Sequence, residues 1–202
     1  MRMRLICRWG LGWIGSLMLI SCGSVSTQTL QPMTGPVPAG LPERIVVLPL
    51  TAENCLWNLE VSSGDEATIR SSLPNWLAGA MVKELGALAP SSGSTEEVVL
   101  NQWVVQGVLK RVLLPDPQVS GSNRKPVLEC TVFIFDWNRS RVQPFMSYDV
   151  LVREVVPDPL AETDESVSGL QKYLEWEIKE VAALVAQSLT GYVEERGWKV
   201  SK

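Results

Sequence analysis

Apolar and polar positions are spread unevenly along the chain, and the first apolar run differs in kind from the others. Residues 9–22 are apolar but interrupted by Gly10, Gly12, Gly15 and Ser16, behind a basic start at Arg2, Arg4 and Arg8. A membrane span needs about 20 apolar residues. This run stops short and passes into Gly23-Ser24-Val25-Ser26-Thr27-Gln28-Thr29. A short apolar core after a basic start predicts a removable secretory signal rather than a retained anchor. Residues 22–42 then carry no core-forming pattern. Ser, Thr, Gln and Gly come first, followed by Pro32, Pro36, Pro38 and Pro42 with Gly35 and Gly40 between them. That composition predicts an extended, flexible tether.

From Arg44 the pattern changes. Arg44-Ile45-Val46-Val47-Leu48-Pro49-Leu50 is a β-branched apolar run stopped by proline, so a largely buried strand is expected. A loop holding Asn54, Cys55, Trp57 and Asn58 follows. Ser63-Gly64-Asp65-Glu66 has the Ser-x-x-Glu form of a capping box. Ile69, Leu73, Leu77, Ala80, Leu85 and Leu88 continue at roughly helical spacing. Pro74 should kink this helix, unless the helix starts beside Ser72 with the proline in its first turn. Residues 98–112 read as a strand with Trp103, Val105, Gly107 and Leu109 on one face. Residues 127–137 and 142–156 read as a hairpin turned by Asn138-Arg139-Ser140. After Pro157 and Pro159, Ser168-Gly169-Leu170-Gln171 offers a second capping box. Leu170, Leu174, Ile178, Val181, Val185, Leu189 and Tyr192 then mark the apolar stripe of an amphipathic helix.

The expected order is tether, β, α, β, β, β, α. This is an α+β fold: a mainly antiparallel sheet of about four strands with two helices packed on one face. The domain plan is a signal peptide over 1–21, a Pro/Gly/Ser-rich tether over 22–42 and one α+β domain over 43–202.

The end of the first apolar run, Leu19-Ile20-Ser21-Cys22, resembles the lipobox of bacterial lipoproteins. The resemblance implies diacylglycerol on the Cys22 sulfur, cleavage between Ser21 and Cys22, and acylation of the new amine. Several acyl chains together anchor stably where one binds only marginally. Gly23 stands where an inner-membrane retention Asp would stand. In a Gram-negative host this implies the periplasmic face of the outer membrane.

Cleavage would leave about 180 residues, enough to bury a single core. It would also remove three basic residues and no acids, moving the net charge from −4 to about −7. An acidic surface argues against nucleic acid and against electrostatic docking on anionic lipid. The membrane is then held through the Cys22 lipid. Of the four cysteines, Cys7 leaves with the signal and Cys22 takes the lipid. Cys55 and Cys130 remain as a candidate disulfide in an oxidising compartment, although their spacing does not show that they meet. A buried free thiol at Cys130 is the alternative.

The chain has no histidine. That removes Ser-His-Asp and Cys-His catalysis and the commonest zinc sites. No glycine-rich phosphate cradle occurs, and no Cys-x-x-Cys. Acidic groups at Glu96-Glu97 and at Asp158, Glu162, Asp164 and Glu165 lack EF-hand spacing and read as solvated loops. The expectation is a non-enzyme with no cofactor, metal or small-molecule substrate. Six tryptophans lie beyond the signal, and most should fill the core. Trp57 and Trp137, near loops, are the candidates for a partner surface.

Two families share this arrangement. The chain resembles the ABC-type transport auxiliary lipoproteins, which include the paraquat-inducible membrane-integrity type. The likeness lies in the lipobox, in Asn54-Cys55-Leu56-Trp57 before a helix, and in strands like 127–137 and 142–156. It extends to Gly169-Leu170-Gln171-Lys172-Tyr173-Leu174 and Val181-Ala182-Ala183-Leu184-Val185 in the last helix. It implies a non-catalytic accessory to a lipid-trafficking transporter with a mammalian-cell-entry subunit. Ile45-Val46-Val47-Leu48-Pro49-Leu50 and Val104-Val105-Gln106-Gly107-Val108-Leu109 are similar to the curli-secretion and penicillin-binding-protein-activator lipoproteins. That alternative implies a ring-forming secretion subunit or an activator of a peptidoglycan synthase.

Overall fold

The computed structural model describes residues 19–21, 24–30, 35–93, 101–115, 126–153 and 168–198. In chain order these form β1 (Leu19–Ser21), β2 (Ser24–Leu30), β3 (Arg44–Val47), β4 (Leu56–Leu59), α1 (Ser63–Leu85) and β5 (Ser91–Ser92). They continue as β6 (Gln102–Leu114), β7 (Val127–Asp136), β8 (Met146–Arg153) and α2 (Ser168–Glu195). The strands make one sheet in the order β1-β2-β8-β7-β6-β3-β5, with β4 also paired to β6.

The fold is α+β with two helices, but the sheet is mixed, and larger than the four antiparallel strands expected. Six longer strands build it, with the two- and three-residue strands β5 and β1 at its edges. β3 and β4 both run parallel to β6, whereas β6, β7, β8 and β2 alternate in direction. The chain order explains the mixture. Parallel neighbours need a long crossover, and α1 lies in sequence between β3 and β6. The hairpin connections after β6 give antiparallel pairs.

Two other expectations change. The loop holding Trp57 contains a strand, β4, whose Leu56 sits beside Arg111 and whose Leu59 sits beside Leu114. Part of the expected tether is not free either. Ser24–Leu30 pairs antiparallel with β8, from Val25 opposite Arg153 to Leu30 opposite Tyr148. Val25, Thr27 and Thr29 are β-branched, and the outer edge of β8 supplies the partner that the sequence alone does not reveal.

α1 starts one residue earlier than the capping box implied. Ser62 is the N-cap, and its hydroxyl accepts the Asp65 N–H at 3.2 Å and donates to the Asp65 carboxylate at 2.6 Å. Pro74 lies inside the helix rather than in its first turn. Leu73, Leu77, Ala78, Met81 and Leu85 carry the buried stripe across it, and that packing outweighs the hydrogen bond the proline removes. Ser62→Ala is expected to cost about 1 kcal/mol. The readout is a lower urea midpoint at unchanged m-value; an unmoved midpoint would refute a role for this cap.

Both helices pack on one face of the sheet. From Leu174 onward the stripe on α2 is as spaced in the sequence: Leu174, Ile178, Val181, Val185, Leu189 and Tyr192 are all buried. Alternation along the strands sends Ile45, Val47, Trp103, Val105, Leu109, Leu128, Cys130, Val132, Ile134, Tyr148 and Val150 into the same core. At one end of this core four rings meet. Trp103 lies 4.9 Å from Phe145 and 6.2 Å from Trp198, and Tyr192 lies 5.5 Å from Phe145. Gly197, at φ +67°, makes the turn after α2 that folds Trp198 back onto this cluster.

Candidate functional site

The strand alternation that fills the core sends the intervening residues to the face away from the helices. Gln106 sits opposite Phe133 and Val104 opposite Phe135 across the β6–β7 pair, so these four share that face. Val46, Val104 and Phe135 are buried there yet stand apart from the helix-side core. Beside them the face opens into a groove of about 460 Å³. Its lining is Leu48, Pro49, Thr51, Gln106, Gly107, Val108, Phe133, Phe135, Val142 and Pro144. None of these side chains is acidic or basic, and none is a thiol. Gly107 is required by close approach: a Cβ there would lie 2.8 Å from the Leu50 side chain and 2.9 Å from the Thr131 carbonyl oxygen.

Charged groups next to the groove neutralise one another. Lys110 Nζ contacts Asp149 Oδ1 at 2.6 Å, and the Thr131 hydroxyl donates to the same oxygen at 2.6 Å. Arg111 meets Glu129 at 3.0 Å. Lys110 is the extra residue where the β6–β7 register slips between Leu109 and Arg111, so the bulge turns outward Arg111, which strict alternation from Leu109 would have sent to the core, and restores Val112 to it.

The β7–β8 connection forms the other boundary, and its hydrogen bonds hold it in shape. Arg139 and Ser140 donate backbone N–H groups to the Asp136 carbonyl, and Asn138 donates to the Asp136 carboxylate. The Ser140 hydroxyl accepts from the backbone of Val142 and Gln143. Arg139 donates to the Val37 carbonyl at 2.8 Å, and Gly35 N–H donates to the Pro144 carbonyl at 2.9 Å. Arg141 lies 5.2 Å from the Trp137 ring centroid. Val142 is 84% exposed, the most of any large apolar residue described.

The structure does not bring the two candidate tryptophans together. Trp57 pairs beside Val112 and Trp137 beside Gln102, ten positions apart on β6, or about 30 Å along the strand. Trp57 packs half-buried against the core beneath the Arg70 guanidinium, 5.1 Å from its ring centroid. Trp137 is half-buried but belongs to the exposed connection. Sequence reasoning missed Val142, read as the start of a strand, and Phe133 and Phe135, read only as strand residues. The signal was there in Arg139-Ser140-Arg141-Val142, an isolated apolar residue in a basic turn.

Of the two alternatives for Cys55 and Cys130, the structure has the free thiols. The two lie on opposite flanks of β6: Cys55 precedes β4, while Cys130 lies opposite Leu109 on β7. Burial pushes the Cys130 thiol up from its ordinary 9.0 to about 12, with Lys110 opposing that shift. Burial likewise lifts Cys55 to about 11, opposed by Arg70. Thiols held protonated in this way are poor nucleophiles.

The expected lipidation site Cys22 lies outside the described residues, as do Glu96, Glu97, Asp158, Glu162, Asp164 and Glu165. Ser21 ends β1, with only its backbone described. Among the described residues no helix is long and apolar enough to cross a membrane, and no group of three or more Cys, Asp or Glu converges as a metal site.

No protein-family model matches the chain, and no curated protein matches it. Solved structures do. A PelC dodecamer from Paraburkholderia phytofirmans is 14% identical over 79% of this chain and 95% of that one, at a TM-score of 0.44. A Xanthomonas campestris protein of the family DUF330 is 11% identical, covering 83% of this chain and 97% of that one at 0.47. A minor lipoprotein from Acinetobacter baumannii is 14% identical over 74% and 94% at 0.36, so the chain is similar to proteins of these descriptions at low identity throughout.

Proposed function

We propose that this chain is a lipid-anchored, non-enzymatic accessory subunit of a cell-envelope complex, with an ABC-type lipid-trafficking transporter as the favoured complex. The observation that carries this reading is the groove. It is concave and largely apolar, and none of its ten lining residues is acidic or basic. Such a surface can bind, but it offers no general acid, general base or activated nucleophile. The absence of histidine from the sequence and the raised thiols support the same conclusion. The lipobox supports the anchor. The likeness of residues 44–192 to the transport auxiliary lipoproteins supports the transporter.

The test is cross-linking in living cells, followed by capture of the tagged chain and mass spectrometry. Recovery of an ATPase, a permease and a mammalian-cell-entry subunit is the expected result. A ladder of this chain alone would replace the reading with a secretion ring, and a peptidoglycan synthase would replace it with an activator. Cys22→Ala should leave the signal uncut and lower recovery on the order of tenfold or more, as expected when a tether no longer raises effective concentration.

A further inference from the structure

The connection between β7 and β8 combines an exposed apolar side chain, two arginines and an adjoining uncharged groove. Val142 is 84% exposed and Val37, tied to it through Arg139, is 40% exposed. Both flanking arginines are exposed: Arg139 is held by Asp136 and the Val37 carbonyl, and Arg141 by the Trp137 ring. The chain as a whole is negative, whereas this tip carries two arginines against one carboxylate, that of Asp136. Val142 also lines the uncharged groove, so the basic tip and the apolar concavity are continuous. Gly35 fixes the tip further. A Cβ on it would come within 2.4 Å of the Gln143 carbonyl oxygen, so the two segments touch backbone to backbone.

We infer that this tip and groove dock an acidic, apolar-bearing protein segment: carboxylates against Arg139 and Arg141, and apolar side chains over Val142 into the groove. The inference rests on the accessory-subunit reading and names the surface through which it acts. Charge complementarity favours an acidic segment at this end of a chain whose net charge is negative. A loop ordered by its own hydrogen bonds loses little freedom on binding. A bilayer is the weaker fit. Two arginines supply only about 1 kcal/mol each at an anionic surface, and a flat membrane leaves a concave groove empty.

The test uses the full lipidated chain in nanodiscs of zwitterionic lipid and follows peptide binding by fluorescence anisotropy and vesicle binding by co-flotation. The probes are a synthetic amphipathic Leu/Glu peptide, its Leu/Lys counterpart, and phosphatidylglycerol vesicles. The Leu/Glu peptide should bind at least tenfold tighter than the Leu/Lys peptide and weaken as salt rises. Arg141→Glu, which reverses the charge and costs the fold the stacking on Trp137, should lower its affinity on the order of tenfold. Val142→Asp, at an exposed position that cannot unfold the domain, should do the same. Equal affinity for both peptides would overturn the inference, as would indifference to both substitutions. So would vesicle binding without peptide binding. A transporter captured from cells equally well by Val142→Asp and by the unaltered chain would defeat this surface and leave the accessory reading standing. Peptide binding with no complex recovered would do the reverse.

Discussion

Trp103→Ala lowers the midpoint of thermal unfolding by on the order of 10 °C, the largest effect expected of any single core substitution here. Trp103 is fully buried on β6, with Ile45 beside it on β3 and Asp136 beside it on β7. It is the largest fully buried ring of a cycle of four, touching Phe145 and Trp198, each of which also meets Tyr192. Truncating it removes one of the two ring contacts of Trp198, and leaves a cavity between sheet and helix. Buried Trp→Ala changes cost about 3–5 kcal/mol, against a typical total of about 5–15 kcal/mol. At roughly 2–4 °C per kcal/mol for a chain of this size the shift follows. Trp103→Phe separates packing from polarity. The indole N–H has no hydrogen-bond partner in the structure, so phenylalanine loses some volume but also removes a buried orphan donor. It should retain most of the stability. Circular dichroism melts of both variants decide the matter, and equal losses would mean that the N–H is satisfied by something other than protein.

Alkaline pH gives the second large effect. In the folded chain burial holds the Cys130 thiol at about 12 against an ordinary 9.0. The native state therefore keeps its proton while the unfolded state loses it. Stability from this group is fully present below about pH 9 and declines as pH rises through the folded value. Three pH units correspond to about 4 kcal/mol at most. Burial raises Tyr148 and Tyr192 in the same direction, so they steepen the loss at the upper end. Urea unfolding under reductant, from about pH 8 to about pH 11, should show the midpoint falling. Cys130→Ala should flatten the first part of that fall, and an unchanged slope would remove the thiol from the explanation.

How much of this was legible before folding depends on whether a segment carries its own partner. α2 was legible because its stripe repeats over six turns, and the strands β7 and β8 because they are dense in β-branched and aromatic residues and adjacent in sequence. β4 was not. Leu56-Trp57-Asn58-Leu59 is short and finds its pairing with Arg111 to Leu114 far along the chain. β2 was hidden for a related reason: its polar, Ser- and Thr-rich sequence resembles a linker until the edge of β8 is present. Parallel pairing through a helix is a property of the whole chain, and local periodicity leaves no mark of it. The candidate site divides in the same way. Trp137 was found from its place near a turn, whereas Val142, Phe133 and Phe135 became a surface only when the connection folded beside the sheet. Trp57 carries the same residue type and ends up packed under Arg70.

The docking of β2 has a mechanical meaning. A free linker of 20 residues would let the domain wander through a hemisphere whose radius is up to about 70 Å. Were Cys22 lipidated as proposed, pairing that begins at Val25 would leave only two residues between the lipid and the sheet, and the domain would sweep far less space. Register would then set the pose. β2 begins at the Arg153 end of β8, and the β7–β8 tip lies at the other end, about 25 Å away along the strand. On the proposed anchor the β7–β8 tip would stand at the end of the strands away from the lipid, so partners would meet it at a fixed height.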